Sequence, residues 1–278
     1  MSTECTLDAP TLAIERLTVG YGNTPVIEHL TLDPIEAGYV VALVGPNAAG
    51  KSTLLRALAG LIPAVGRVTL GGRDLLSMSL PERATHVAFM PQTLPQGVAL
   101  TVFESVLSAL KASPLHENHP TDSRRLRHHA VHTLERVGIE HLALVPLDHL
   151  SGGQRQLVAL AQTLARDPVL MLLDEPTSAL DLLHQVSVLQ LVRSLARDGR
   201  IVVLVLHDLN LAARWADHVI VLHQGTLFTA GPPEEAITPR VLSRVYGVSA
   251  RVERCSGHFL QVMVDGPLDP PLHPSRRV

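Results

Sequence analysis

The chain has 278 residues, a formal net charge of −3, 46% apolar residues and only 3% aromatics. That composition fits a globular protein with a sizeable core, and it argues against a disordered chain, a basic nucleic-acid binder or an aromatic platform for single strands. Two cysteines, Cys5 and Cys255, form neither a ligand cluster nor a disulfide framework and point to a reducing compartment. MSTECTLDAP lacks the apolar segment of a secretory signal. Runs such as IVVLVL fall far short of the about 20 residues that span a bilayer, so any membrane role is expected to come through a partner.

In chain order, the first 35 residues and GRVTLGG read as antiparallel strands and turns. Three apolar runs, at 39–44, 169–173 and 201–206, lack alternation. That is the pattern of strands buried on both faces of a parallel sheet. A helical pattern follows each: KSTLLRALAG, stopping at Gly60; DLLHQVSVLQLVRSLARDG, with Leu182, Val186, Leu189, Val192 and Leu195 on one stripe; and DLNLAARWADH. Between about 102 and 145 no strand is expected. TVFESVLSALKAS and DSRRLRHHAVHTLERVG read as amphipathic helices, the second with Leu126, Ala130, Leu134 and Val137 on one face. Thr121, Asp122 and Ser123 are its N-cap candidates. HVIVLHQGTLFTAG reads as antiparallel, PPEEAITPRVLSRVYG as helical and ARVERCSGHFLQVMVDG as a hairpin. The predicted architecture is α/β: a P-loop NTPase core of mostly parallel sheet, with an antiparallel β subdomain and an inserted helical subdomain at about 95–150. One domain is expected over 1–265, with a Pro-rich tail at 266–278.

GPNAAGKST supplies the first chemistry. Gly45, Pro46, Asn47, Ala48, Ala49, Gly50, Lys51, Ser52 and Thr53 contain G-x-x-x-x-G-K-[ST] between a buried strand and a helix. Glycines let backbone N–H groups curl around phosphate, and the helix presents its positive end. Lys51 is expected to reach the β and γ phosphates, and Ser52 to ligate Mg2+. A simple glycine-containing turn is the alternative. VLMLLDEP places Asp174 at the end of a buried strand, where ligands collect in open α/β sheets. Asp174 suits the Mg2+ shell, and Glu175 could orient a water against the γ phosphate. Two acids there could also be an N-cap.

LSGGQRQ, residues 150–156, opens the next helix and resembles the signature motif of the ABC ATPases. Ser151, Gly152, Gly153 and Gln154 then sit at a helix N-terminus, with donors facing outward. Alone, S-G-G would fit a helix cap. The resemblance extends over about 12–262. It implies that Tyr21 stacks on adenine. It makes Gln92 the Q-loop residue that senses Mg2+ and water, places Asp181 in the D-loop, and makes His207 the switch histidine. Ala48 departs from the family's usual glycine. TSALDLLHQ and ITPRVLSRVYGVSARV resemble the ATPases of iron-chelate, haem and cobalamin importers. That implies ATP and Mg2+ as cofactors and a homodimer docked on integral membrane permeases. It also implies an indirect substrate-binding protein, a peripheral site on the cytoplasmic face of the plasma membrane, and no nucleic acid. Ferric siderophore is the expected cargo, with haem or cobalamin as alternatives. A soluble ABC ATPase acting on ribosomes or DNA is the rival from another class. Such proteins typically carry tandem cassettes or a long inserted arm, and this chain shows neither. His128, His129, His132 and Glu135 are read as a solvated helix face, as are Arg124, Arg125 and Arg127; Met78 and Met263 are read as core.

Overall fold

Val40–Val44 (β3) is buried at all five positions. Val40, Ala42 and Val44 join one apolar cluster, and Val41 and Leu43 join another on the opposite face. This is the physical reason the run does not alternate: both faces are covered. In the computed structural model, which describes residues 10–22, 24–93, 99–112 and 122–268, the elements run as follows. β1 (Thr11–Tyr21) and β2 (Thr24–Glu36) precede β3. Then come α1 (Lys51–Leu58), β4 (Ala64–Leu70), β5 (Arg73–Asp74), α2 (Leu80–Arg83) and β6 (Val87–Met90). Next are α3 (Val102–Ala112), α4 (Ser123–Val137), α5 (Gly152–Ala165), β7 (Leu170–Leu173), α6 (Leu182–Arg197), β8 (Ile201–Val205) and α7 (Leu209–Trp215). β9 (His218–His223), β10 (Thr226–Gly231), α8 (Pro233–Ala236), α9 (Pro239–Val241), β11 (Val248–Arg254) and β12 (Leu260–Pro267) follow.

The central sheet has the order β10-β9-β3-β8-β7-β6. Its strands are parallel except for β10. A second sheet, β2-β1-β4-β5, is antiparallel and contributes one apolar cluster together with α1. The other cluster gathers α3, α4, α5, α6 and α7. α5 packs on both α3 and α4. Each fully buried leucine or valine in these layers is worth roughly 1.5–3 kcal/mol of burial.

Three expectations need correction. β9 is parallel to β3 and antiparallel only to β10. The two-residue turn Gln224–Gly225, both at positive φ, marks the hairpin but says nothing about the other neighbour. β6 went unread, because VAFM is a short strand with Phe89 only half-buried. On α6, Leu189, Val192 and Leu195 are buried as expected, joined by Val188 and Ala196. Leu182 and Val186 are exposed, so the apolar stripe extends N-terminally beyond the buried part of α6.

The predicted face of α4 is observed: Ala130 and Leu134 are buried, with Leu126 and Val137 packed beside them. Asp122 caps this helix, accepting from the Arg124 N–H. Thr121, Cys5 and residues 269–278 lie outside the described residues, whereas Gly266 and Pro267, expected in the tail, belong to β12. His128, His132, Glu135, Arg124, Arg125 and Arg127 are exposed, and His129 is half-buried. Met78 packs against the core, and Met263 is half-buried on the C-terminal hairpin. Among the described residues no helix is long and apolar enough to cross a membrane.

Candidate functional site

Because β3, β6, β7 and β8 are parallel, they deliver their C-terminal ends to one edge of the sheet. The 45–50 loop, Gln92, Asp174–Glu175 and His207 follow those ends directly. Gly45 (φ 146°) has no room for a side chain: a Cβ there would lie 2.2 Å from the Leu222 carbonyl oxygen. Gly50 (φ 100°) is the N-cap of α1 and supplies no side-chain cap. The first-turn N–H groups therefore point into the loop without a side-chain acceptor. Ala48 sits at φ 63°, a left-handed conformation that costs a residue with a Cβ about 1–2 kcal/mol.

Lys51 is buried, and its Nζ donates to the Gly45 and Pro46 carbonyls at 2.8 Å each. Burial pulls its ammonium below the ordinary value, against the opposing charges of Glu175 and Asp174. The Ser52 hydroxyl donates to Asp174 Oδ1 at 2.9 Å. Asp174 is only 1% exposed, and its Oδ2 is buried with no hydrogen-bond partner among the described residues. Burial raises the Asp174 carboxyl, while the Ser52 bond works the other way.

Glu175 follows with φ 55°, a strained backbone for a residue with a side chain, costing about 1–3 kcal/mol. Its carboxylate is held from two sides: Gln92 Nε2 donates to Oε2 at 2.7 Å, and His207 Nε2 lies 2.5 Å from Oε1. Gln92, Glu175 and His207 line one cleft of about 710 Å³ together with Asn47, Ala48, Ala49, Gly50, Lys51, Ser52 and Thr53. Tyr21 stands outside that lining and is 49% exposed. Its hydroxyl accepts from Arg56 at 3.4 Å. That bond, and then one to Thr53, holds the phenol below its ordinary value.

Ser151 is the N-cap of α5 in a full capping box. Its Oγ accepts from the Gln154 N–H at 3.2 Å, and Gln154 Oε1 accepts from the Ser151 N–H at 2.9 Å. Ser151 to Gln154 line a second cleft of about 540 Å³ with Asp181 and His184, and the two clefts share no lining residue. Within one chain the two glycine-bearing loops thus line different clefts. Gly153 has a packing reason to lack a side chain, since a Cβ would lie 2.7 Å from the Ala179 carbonyl oxygen. Asp181 caps α6 and pairs with His184 Nδ1 at 2.7 Å. The His184 backbone bond, ahead of that side-chain contact, holds its carboxyl low. Gln185 latches the same loop by donating to the Thr177 and Leu180 carbonyls at 3.2 and 3.1 Å.

Two contributors escaped the sequence reading. Gln156, on α5, reaches the backbone of Glu175. Tyr246, from the C-terminal part of the chain, meets the Gly45 backbone with its hydroxyl, and burial pushes its phenol up to about 12. Neither stands out in one sequence: the first is the last letter of a longer motif, the second an aromatic far from the loop.

The sequence profile of the ABC transporter family matches residues 28–178, more than half of the chain. The chain belongs to the ABC transporter family. It is 39% identical over 241 residues to the ferric enterobactin transport ATP-binding protein FepC of Escherichia coli (strain K12), covering 86% of this chain and 88% of that protein. It is 43% identical over 248 residues to the hemin import ATP-binding protein HmuV of Nocardia farcinica, covering 87% and 83% respectively. Among solved structures, a chain of a metal-chelate-type ABC transporter in an inward-facing conformation superposes with a TM-score of 0.75. Its identity is 27%, covering 92% of this chain and 97% of that one. An ATP-binding cassette solved as a post-hydrolysis dimer with ADP and Pi gives a TM-score of 0.71 at 28% identity, covering 80% and 98%. The mixed architecture of the cassette, with parallel core, antiparallel sheet and helical layer, is the one the sequence predicted.

Proposed function

We propose that this cassette is the ATP-hydrolysing subunit of an importer for a metal chelate, with ferric siderophore as cargo. The observation that carries the catalytic half is the grip on Glu175: a carboxylate held between Gln92 and His207, in the cleft that holds Lys51 and Ser52. In this reading Gly45, Pro46, Asn47, Ala48, Ala49, Gly50 and Thr53 surround the phosphates with backbone donors. Lys51 exchanges its two carbonyl partners for phosphate oxygens. Tyr21 meets the adenine. Glu175 takes the proton of a water as its oxygen bonds to the γ phosphorus and the bond to the β-phosphate oxygen breaks. His207 and Gln92 keep that carboxylate aimed.

Ser52, Asp174 and Gln92 would hold Mg2+. The donor set fits: all are oxygen ligands suited to a hard cation, and Asp174 Oδ2 is buried without a partner. Bound there, the cation supplies neutralisation of charge on the β and γ phosphate oxygens.

Ser151, Gly152, Gly153 and Gln154 act on the nucleotide of a second copy. Their separation from the Lys51 cleft supports this. ATP then favours the closed pair over the open one, and that difference in affinity drives the shape change. The cassette works on the cytoplasmic face of the membrane, docked on permease subunits that receive cargo from a substrate-binding protein.

Haem is the second reading, favoured by the 43% identity to a hemin import protein. One experiment addresses chemistry and cargo together. Glu175→Gln is expected to bind ATP normally, lose hydrolysis by about 10²–10⁴-fold and, in cells that depend on this chain, abolish uptake of iron-labelled siderophore. Normal hydrolysis by that variant would remove Glu175 from its role. Loss of haem uptake with siderophore uptake intact would reassign the cargo.

A further inference from the structure

The side chain of Gln156 lies between the two clefts. It is 5% exposed, on the second turn of the helix whose N-cap is Ser151. Its amide is almost fully used. Nε2 donates to the Glu175 carbonyl and to Ser178 Oγ at 3.2 Å, and Oε1 accepts from the Ala179 N–H at 3.0 Å. One buried amide therefore holds both ends of the segment 175–179.

That segment needs holding. Glu175 keeps a left-handed backbone that a residue with a Cβ adopts only when its surroundings impose it. Its carbonyl is fixed from the α5 side by Gln156, and from within the segment by the Ser178 N–H and hydroxyl. Releasing the Gln156 bond would let φ relax and swing the carboxylate away from Gln92 and His207. A second contact lies one turn earlier, where Gly153 is pressed against the Ala179 carbonyl so closely that a Cβ would reach 2.7 Å. α5 is thus fastened to the Glu175 segment at two heights. A helix turn moves as a unit, so a displacement of its Ser151 end is felt at the Glu175 backbone.

We propose that Gln156 is a positioning residue that sets the Glu175 backbone and couples it to the Ser151 end of α5. Contact with the partner copy's nucleotide at one end then tunes the carboxylate acting on the chain's own. This rests on Glu175 acting on the water, as proposed above.

The test uses the full chain and four variants: Gln156→Met, Ser151→Ala, their double, and Glu175→Gln. Gln156→Met keeps the volume and removes every hydrogen bond. Its kcat is expected to fall on the order of 10- to 100-fold, as for a small misplacement of a reacting group. KM for ATP should stay within about twofold, the pattern of a loss confined to the transition state. The double variant should fall little further than the worse single, because both act through one connection. If Gln156→Met does not fold, Gln156→Glu keeps the acceptor for the Ala179 N–H and removes donation to the Glu175 carbonyl, with the same split expected. A wild-type kcat, a parallel loss of kcat and ATP affinity, or a double variant whose losses multiply would each overturn the proposal. An inactive Glu175→Gln beside a fully active Gln156→Met sinks this inference alone. A fully active Glu175→Gln sinks the reading of Glu175 and this inference with it.

Discussion

α1 and α5 both start beside a glycine and both aim backbone donors at a cleft, yet they are built differently. The end of α1 is preceded by Gly50, which offers no side-chain cap, and its first turn buries Lys51 and Thr53. Its donors have no acceptor of their own, so an anion there gains the full benefit of the helix terminus. At the end of α5 the Ser151–Gln154 capping box already occupies the Gln154 N–H, and Ser151 and Gly152 stand exposed. An anion meeting it must compete with water and with the cap. In the function proposed above, the first site holds phosphate in a lone protomer. The second contributes only when another surface closes over it and excludes water.

Breaking the first site should cost most. Glu175→Gln leaves the α1 end untouched and removes the group proposed to take the proton. The loss belongs to turnover and not to affinity, and a filter-binding assay beside a phosphate-release assay separates the two. Ser151→Ala sharpens the contrast. Turnover should fall roughly 10- to 100-fold, because the contact that steadies the Ser151 end of α5 and, through Gln156, the Glu175 backbone is lost. ATP affinity of the lone protomer should not change. Loss of the cap should also lower thermal stability by about 1 kcal/mol. Lost protomer affinity in Ser151→Ala would contradict the division between the two ends. The smallest effect is expected at Ala48, which holds φ 63° inside the first loop. Ala48→Gly should relieve about 1 kcal/mol of backbone cost, leaving nucleotide affinity equal or tighter and the melting temperature slightly higher. Weaker ATP binding in titration calorimetry would show that the alanine methyl makes a contact the loop needs.

The two regions were not equally legible. The α1 side could be read because each part carries its own physical mark. β3, β7 and β8 are continuous apolar runs, the loop has its glycines at fixed spacing, and two acids close a buried strand. Ser151–Gly153 could be read only through resemblance, since a serine and two glycines at a helix start satisfy any cap. Even there the structure adds a reason the motif alone hides: Gly153 is small because the Ala179 backbone passes beside it. Gln156 closes that motif, but its role was illegible for a related reason. A buried amide whose partners are main-chain atoms leaves no pattern in the side chains around it. The parallel pairing of β9 with β3 was illegible because it joins segments more than 170 residues apart and depends on the order of the whole sheet. The exposure of Leu182 and Val186 shows that periodicity finds a stripe but not where the core ends beneath it.

The division of labour between the two helix ends is tested most directly by hydrolysis per protomer across a range of protein concentrations, with mass followed by light scattering. Specific activity should climb with the fraction of pairs and approach nothing where only single chains remain, while those single chains still retain nucleotide. A constant specific activity down to concentrations at which every chain is alone would contradict the account.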